Sequence, residues 1–212
     1  MIKKNLSTIN SRINSVNHKQ HVTLIAVSKT RNADEISDAL DAGQTHFGEN
    51  YLQEALEKIE LLQGNNIVWH FIGPIQSNKT SKIAEKFDWV HSVDRIRIAE
   101  RLNQQRPKKL GKLNTLLQIN IDNEDTKSGV LVNEIEEIVS CFDNLNNICL
   151  RGFMCIPKPV NALDSYKRMA KIMTLYPTLD TLSMGMSADM EEAIANGATF
   201  VRIGTDIFGK RM

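Results

Sequence analysis

Short apolar runs rich in β-branched residues alternate along this chain of 212 residues with longer stretches of helical periodicity. The stronger runs are 22–27 (VTLIAV), 67–72 (IVWHFI), 114–121 (NTLLQINI), 148–156 (ICLRGFMCI) and 199–203 (TFVRI), and weaker ones are 45–47, 88–93 and 179–182. The stretches of helical period between them are 33–42, 50–62, 78–87, 94–105, 131–142, 162–175 and 187–196. Such alternation predicts a parallel sheet covered by helices.

Eight strand–helix units fit an α/β fold of the (β/α)8 TIM-barrel type, and an open doubly wound sheet is the alternative. The chain length is at the low end for such a barrel. We therefore expect short loops and a single domain over residues 1–212, with no second domain. Asn32 is a predicted helix start, and Gly43 and Gly197 stand where helices are expected to end.

The N-terminal segment carries one apolar stripe. Its members, spaced by four, three, four and three residues, are Ile2, Leu6, Ile9, Ile13 and Val16. This spacing predicts an amphipathic helix over residues 1–20. We expect this extra helix to pack on the barrel, and binding of a partner is the alternative.

Composition excludes several classes of function. The 26 basic and 25 acidic residues give a net charge of +1, so no bulk field attracts nucleic acid or an anionic membrane. No apolar run approaches 18 residues, and the first residues are too polar for a signal peptide. Cys141, Cys149 and Cys155 form no paired framework and no metal-binding motif. We expect a soluble, cytoplasmic protein with reduced cysteines and no metal.

Two turns near the C-terminus carry glycine and hydroxyl side chains. They are residues 183–187 (SMGMS) and 202–205 (RIGT), each after a short apolar run. Backbone N–H groups of such turns converge on anions, aided by the positive end of a following helix. One such turn is a weak signal, since Ser and Gly also serve turn geometry, but two on neighbouring strands predict a phosphate clamp.

Lys29 follows the first apolar run, and barrel closure makes strands one, seven and eight neighbours. A lysine at the end of a buried strand is either paired and structural or an amine activated for imine formation. With the clamp beside it, the expected ligand carries both an aldehyde and a phosphate. Pyridoxal 5′-phosphate fits, and so does a sugar phosphate in a Schiff-base aldolase.

Several longer segments resemble one protein family. They are AVSKT (26–30), HFGENYLQEA (46–55), WHFIGPIQSNK (69–79), LQINIDNEDTKSGV (117–130), RGFMCI (151–156), LSMGMSADMEEAI (182–194) and VRIGTDIFG (201–209). In order and over nearly the whole chain, they are similar to the pyridoxal phosphate homeostasis proteins. These are the YggS/PROSC-type relatives of the alanine racemase N-terminal barrel.

The resemblance implies that Lys29 holds pyridoxal 5′-phosphate as a Schiff base. It also implies that Arg202 faces the pyridine nitrogen and that Asn50 lies close to the cofactor ring. It further implies that the phosphate is bound by Ser187, Gly204 and Thr205. The loop at 184–186, with Met184 among the cofactor-binding residues, is expected to lie beside the phosphate.

His70 and Lys127 lie in motifs of the same family without an assigned role. For His70, a hydrogen-bonded histidine inside the barrel is the alternative to a place in the site.

The resemblance further implies a role in vitamin B6 homeostasis and amino-acid balance, with transient delivery to apo-enzymes as a hypothesis. An arginine at the ring nitrogen disfavours its protonation and weakens the cofactor as an electron sink. Racemisation needs a second base, which in alanine racemase is a tyrosine of an added domain. The sequence ends at Met212, so we expect that domain and its dimer interface to be absent and the protein to be a monomer.

Tyr51 is the one conceivable substitute for that base, because Tyr166 and Tyr176 fall at the outer helices and are expected to pack there. We therefore expect a binding protein rather than an enzyme, and a racemase of low activity is the alternative.

Overall fold

Eight parallel strands close into a barrel in the computed structural model, which describes residues 1–16 and 19–210. The strands are β1 (Thr23–Val27), β2 (His46–Glu49), β3 (Val68–Phe71), β4 (Trp89–Val93), β5 (Leu113–Ile119), β6 (Ile148–Cys155), β7 (Thr181–Ser183) and β8 (Phe200–Ile203). Each strand pairs with its successor in sequence, and β8 pairs with β1. The predicted barrel is confirmed, and the closing pairs exclude an open sheet.

Helices cover the outside of this barrel. They are α1 (Ile2–Ser15), α2 (Ala33–Asp41), α3 (Leu52–Leu61), α4 (Thr80–Lys86), α5 (Ile96–Gln105), α6 (Ile135–Cys141), α7 (Ala162–Thr174), α8 (Met190–Ala195) and α9 (Thr205–Phe208). Single turns of 3-10 helix lie at Lys108–Leu110, Val132–Glu134, Phe142–Asn144 and Pro159–Asn161. Asn32 caps α2 in a capping box with Glu35, in agreement with the predicted helix start.

Some boundaries differ from the sequence prediction. β2 runs on through Glu49, where the pattern had indicated a strand at 45–47 followed by a loop. Glu49 has low strand propensity, but a buried partner on α3 holds it in the sheet. α8 begins only at Met190, because the turn before it runs through Asp189, and α9 is too short for periodicity to reveal.

The main hydrophobic core lies between the strands and the helical layer, and the barrel interior holds a smaller apolar cluster together with histidines. α1 contributes to the main core through its predicted stripe, whose buried members are Ile2, Leu6, Ile9 and Ile13. The helix contacts α2, α8 and α9, so it packs on the barrel as expected.

The predicted span of the N-terminal helix, 1–20, includes positions 17 and 18, which lie outside the described residues. Positions 211 and 212, and with them the expected chain end at Met212, also lie outside the described residues. A single domain over 1–212 stays a prediction. Within the described ranges, the helices are all too short or too polar to cross a membrane.

Gly152 in β6 provides a direct test of barrel packing. Its φ is +155°, and a Cβ atom there would lie 1.8 Å from the carbonyl oxygen of Thr181 in β7. We expect Gly152→Ala to force the two strands apart and to lower the free energy of unfolding by at least about 3 kcal/mol, the upper range for overpacking. Urea unfolding measures this change.

Gly43 is the matched control. Its φ is +95°, but beyond its own chain neighbours no atom of the described residues lies within 4 Å of the place that a Cβ would take. Gly43→Ala should therefore cost only the backbone strain, about 1–2 kcal/mol. Equal losses in the two variants would contradict the steric contact between β6 and β7.

Candidate functional site

A cavity of about 350 Å³ opens at the carboxyl ends of β1, β7 and β8. This volume lies within the range of small-molecule sites, and this end of a parallel barrel is where such sites form. The lining residues are Val27, Lys29, Arg31, Asn50, Ile72, Ile156, Met186, Ser187, Ala188, Arg202, Gly204 and Thr205. Six of the seven residues predicted to bind a cofactor are among them; Met184 is not.

The first clamp turn, residues 183–187, is held in shape by its own backbone and by α8. Gly185 has a φ of +92° and approaches α8 so closely that a Cβ would lie 2.6 Å from the Cβ of Ala193. The backbone N–H of Met186 donates to the Asp189 carboxylate at 2.6 Å. Ser187 is thereby placed at the cavity, while Met184 is fully buried behind the turn and Met186 lines the cavity instead.

The second clamp turn, residues 202–205, joins β8 to α9. Gly204 lies against β1, and a Cβ there would be 3.3 Å from the carbonyl oxygen of Val27. The first amides of α9 have no partner within the helix, so they and the Thr205 hydroxyl are donors available at the cavity. α8 and α9 have only six and four residues, so their dipoles are small. They therefore contribute little of the attraction for an anion that was predicted from the sequence.

Arg202 lies at the floor of the cavity and is only 5% exposed. Its Nη1 donates to Ser183 Oγ at 2.7 Å, and its Nη2 donates to the carbonyl oxygen of Cys155 at 3.0 Å. Burial lowers the pKa of Arg202, but guanidinium begins so high that the side chain stays charged. Both hydrogen-bond partners are neutral, so a buried cation faces the cavity.

Three histidines continue from Arg202 through the barrel interior. Ser183 Oγ lies 3.0 Å from His91 Nδ1, and His91 Nε2 lies 2.9 Å from His70 Nδ1. His70 Nε2 then lies 2.9 Å from Nδ1 of His46, at the start of β2. His70 is thus an inner-barrel histidine and does not line the cavity, which is the alternative that the sequence had left open.

These imidazoles are held neutral. Burial lowers the pKa values of His70 and His91 well below their ordinary value, and Arg202 lowers that of His91 further. A neutral imidazole has one donor and one acceptor nitrogen. If the Ser183 hydroxyl, which accepts from Arg202, donates to His91, then His91 donates to His70 and His70 donates to His46. The polar contacts of Arg202 are thus with neutral groups, and the nearby Asp189 carboxylate acts on it electrostatically without a direct ion pair among the described residues.

Lys29 extends from a strand end that is fixed on both sides. Before it, the Ser28 hydroxyl donates to Glu49 at 2.7 Å, and Lys58 Nζ donates to the Ser28 carbonyl oxygen at 2.7 Å. After it, Thr30 has a φ of +64°, a conformation that non-glycine residues seldom adopt. The Thr30 N–H donates to Glu54 at 2.5 Å, which holds that conformation.

Glu49 and Lys58 form a buried ion pair beneath this strand end, in which Lys58 Nζ lies 2.7 Å from Glu49 Oε1. Burial raises the pKa of Glu49, and Lys58 and Ser28 oppose that rise. This ion pair was not predicted from the sequence. The one signal for it was the spacing of four residues between Glu54 and Lys58, which is typical of any exposed helix face.

Asn50 lines the cavity directly after the end of β2. A Cβ on Gly73 would be 2.0 Å from the Asn50 carbonyl oxygen, so only glycine lets this loop approach. The side-chain Oδ1 of Asn50 is buried and has no hydrogen-bond partner within the described part of the chain. An acceptor of this kind at a cavity wall is suited to a ligand hydroxyl or N–H group.

Lys127 lies in an adjoining cavity of about 270 Å³ that shares Asn50, Ile72 and Ile156 with the first. Its Nζ lies 2.6 Å from the Glu124 carboxylate and donates to the carbonyl oxygen of Ile156 at 3.2 Å. The structure therefore places Lys127 beside the candidate site and not within it.

Arg31 lines the cavity but was not predicted from the sequence. It donates to the carbonyl oxygen of Gly209, and its guanidinium lies 5.8 Å from the ring centroid of Phe208. Its position two residues after Lys29 was the only available signal. No cluster of potential metal ligands occurs within residues 1–16 and 19–210.

Comparison with known proteins defines the class. Residues 2–212 match the family model described as alanine racemase, N-terminal domain. The alanine racemase of Clostridium difficile 630 has the same fold, with a TM-score of 0.74 and 14% identity over 98% of this chain and 57% of that chain. The class is thus the barrel of the alanine racemase N-terminal type.

Closer relatives define the family. A pyridoxal phosphate homeostasis protein of Escherichia coli K12 is 47% identical over 99% of this chain and 97% of its own length. PipY of Synechococcus elongatus PCC7942, solved with PLP bound, is 33% identical with a TM-score of 0.86, over 99% of this chain and 100% of that one. The chain belongs to the family of pyridoxal phosphate homeostasis proteins.

The neutral histidines predict an acid-sensitive fold. Because folding lowers the pKa values of His70 and His91, the unfolded chain binds more protons than the folded protein below about pH 6.5. Stability is full above that pH and falls below it, by up to about 1.4 kcal/mol per pH unit for each histidine. Urea unfolding between about pH 5 and 7 measures this slope.

His91→Gln retains polar contacts but cannot be protonated, so we expect a shallower loss of stability with acid than in the wild type. The exposed His21 provides the control, and His21→Gln should leave the slope unchanged. A slope for His91→Gln equal to that of the wild type would refute a role of the barrel histidines in acid sensitivity.

Proposed function

We propose that this chain binds pyridoxal 5′-phosphate in the cavity at the ends of β1, β7 and β8, with Lys29 joined to the aldehyde as a Schiff base. We further propose that it acts in intracellular vitamin B6 homeostasis and amino-acid balance. One observation carries the proposal: Lys29, the two clamp turns and the buried Arg202 line a single cavity. The names of the relatives, and the PLP bound to PipY, support the same ligand.

The donor set fits each part of this ligand. Ser187 and Thr205 offer hydroxyl groups to a phosphate, and the glycine-containing turns offer backbone N–H groups. Lys29 offers the amine. The Oδ1 of Asn50, unpartnered within the described part of the chain, offers an acceptor to a ring substituent.

Arg202 favours a protein that binds the cofactor over an enzyme that uses it for catalysis. Its guanidinium is held by Ser183 and a backbone carbonyl, and no Asp or Glu is among the described residues that line the cavity, so none of these residues can pair with a protonated ring nitrogen. Pyridoxal 5′-phosphate supplies an electron sink for carbanions, and this sink is strongest when the ring nitrogen is protonated. A fixed positive charge at that nitrogen keeps it unprotonated.

A racemase of low activity is the alternative function. Racemisation requires a second acid–base group on the face opposite Lys29. The described lining residues include no tyrosine, histidine, cysteine or carboxylate. Tyr51 is 54% exposed and does not line the cavity, while Tyr166 is buried beside Asp189 with its pKa raised by burial. Exchange of amino-acid α-protons in heavy water at enzyme-like rates would favour the racemase.

A Schiff-base aldolase acting on a sugar phosphate is a second alternative. A visible absorption band of the purified protein separates the two ligands, because an imine of a sugar does not absorb there. Transient delivery of the cofactor to apo-enzymes rests on the family alone, and transfer no faster than release into solution would exclude it. A monomeric state and a cytoplasmic location stay predictions.

Lys29→Ala should abolish the visible band of the protein with pyridoxal 5′-phosphate, because the amine that forms the imine is removed. Lys127→Ala is the control and should keep the band, since Lys127 lies in the adjoining cavity. Borohydride reduction followed by peptide mapping identifies the labelled lysine. A band that persists in Lys29→Ala would place the covalent bond elsewhere, with Lys127 the next residue to map.

Ser187→Ala should weaken binding of pyridoxal 5′-phosphate by about 1–2 kcal/mol, the loss of one hydrogen bond to a charged group. Equilibrium dialysis measures the dissociation constant, and Ser140→Ala on the exposed face of α6 is the control. Unchanged affinity in Ser187→Ala would show that the Ser187 hydroxyl does not contribute, and that backbone N–H groups with Thr205 hold the phosphate.

A further inference from the structure

Arg12 of α1 joins the two clamp turns from behind. Its Nε lies 2.6 Å from Oε1 of Glu191, and its Nη1 lies 3.2 Å from Oδ2 of Asp206. Its Nη2 donates to the carbonyl oxygen of Ser187 at 3.3 Å. One guanidinium thus contacts α8, α9 and the clamp residue Ser187 at the same time.

The carboxylates of Glu191 and Asp206 lie close to the clamp turns, where negative charge is unfavourable for binding an anion. Glu191 belongs to the first turn of α8 and Asp206 to the first turn of α9, close in sequence to Ser187 and Thr205. A phosphate bound by those turns would be repelled by both carboxylates. Arg12 offsets this repulsion, and the pairing holds the pKa of Glu191 below its ordinary value.

α1 is itself anchored to the barrel, so the backbone that carries Arg12 is held in place. The apolar stripe of the helix is buried, and Asn5 Nδ2 donates to the carbonyl oxygen of Ile207 in α9 at 2.8 Å. Arg12 does not line the cavity. Any effect of Arg12 on a ligand must therefore pass through the positions and charges of the clamp turns.

We propose that Arg12 is a positioning residue of the phosphate clamp, which sets the spacing of the two turns and neutralises the carboxylates behind them. This inference rests on the proposed function only in taking the clamp ligand to be a phosphate ester. It assigns to α1 a part in selecting phosphorylated over unphosphorylated forms of the ligand. The planar fork of arginine suits this role, because its donors lie on separate nitrogens, whereas the three donors of a lysine share one nitrogen.

The test compares pyridoxal 5′-phosphate with pyridoxal, which lacks the phosphate. We expect Arg12→Gln to reduce the preference for the phosphorylated ligand by about tenfold, equivalent to about 1.4 kcal/mol, while pyridoxal binding stays unchanged. Arg12→Lys keeps the charge but loses the simultaneous contacts, so its preference should fall between those of wild type and Arg12→Gln. Equal weakening of both ligands, or an unchanged preference, would overturn the proposal.

A charge-balanced variant separates electrostatics from folding. Arg12→Gln combined with Glu191→Gln and Asp206→Asn removes both carboxylates, so part of the lost preference should return. If the preference does not recover, the neutralising role of Arg12 is overturned. Arg12 would then act only by setting the spacing of the turns. Should Arg12→Gln fail to fold, Arg12→Lys and this combined variant carry the test.

Arg151 is a matched control. Like Arg12 its side chain is 35% exposed, and it pairs with a carboxylate, Asp180, but it does not contact the clamp turns. Arg151→Gln should leave the preference for phosphate unchanged. A loss equal to that of Arg12→Gln would show a general effect of removing a surface charge, and would count against the proposal.

Pyridoxine 5′-phosphate and pyridoxine, which carry no aldehyde, distinguish failure of this inference from failure of the proposed function. If the wild type forms no imine yet prefers pyridoxine 5′-phosphate, and Arg12→Gln removes that preference, the inference stands while the proposed function fails. If the imine forms at Lys29 but Arg12→Gln keeps the wild-type preference, the proposed function stands and the inference fails. Absence of any preference for phosphate in the wild type overturns the inference.

Discussion

β1 and β8 pair in parallel through registered contacts that run from Thr23 with Phe200 to Ala26 with Ile203. This pairing closes the barrel and brings together residues that are more than 150 positions apart in sequence. Lys29 follows one strand of the pair, and Gly204 follows the other. Because parallel strands end at the same rim, this closure places Lys29 and the second clamp turn at one cavity.

Arg202 introduces an unusual electrostatic arrangement into that rim. Removing a guanidinium from water is costly, and proteins commonly compensate with a carboxylate. Here the compensation comes from Ser183, a carbonyl oxygen and the polar chain of neutral histidines. No carboxylate of the described residues forms a direct ion pair with Arg202, although Asp189 acts on it from nearby. This feature, more than the clamp turns, distinguishes the site from a generic phosphate pocket.

The sequence predicted the barrel, and it predicted residues that follow strand ends and line the cavity in the structure. Lys29 and Ser187 could be placed because strand ends, glycines and hydroxyl groups leave local signals. The ion pair of Glu49 and Lys58 could not, since its members are linked only through the tertiary fold. Likewise, the contact of His91 with His70 depends on the register of neighbouring strands, which periodicity does not determine.

The left-handed backbone of Thr30, together with the buried contacts of Ser28, has a consequence for exchange of a bound aldehyde. The backbone on either side of Lys29 is already committed to one conformation, so the amine can change position only by rotation of its own side chain. Such rotations take picoseconds to nanoseconds, whereas loop opening takes nanoseconds to microseconds or longer. If Lys29 holds an aldehyde as proposed, exchange between amines there requires no rearrangement of the backbone at residues 28–30.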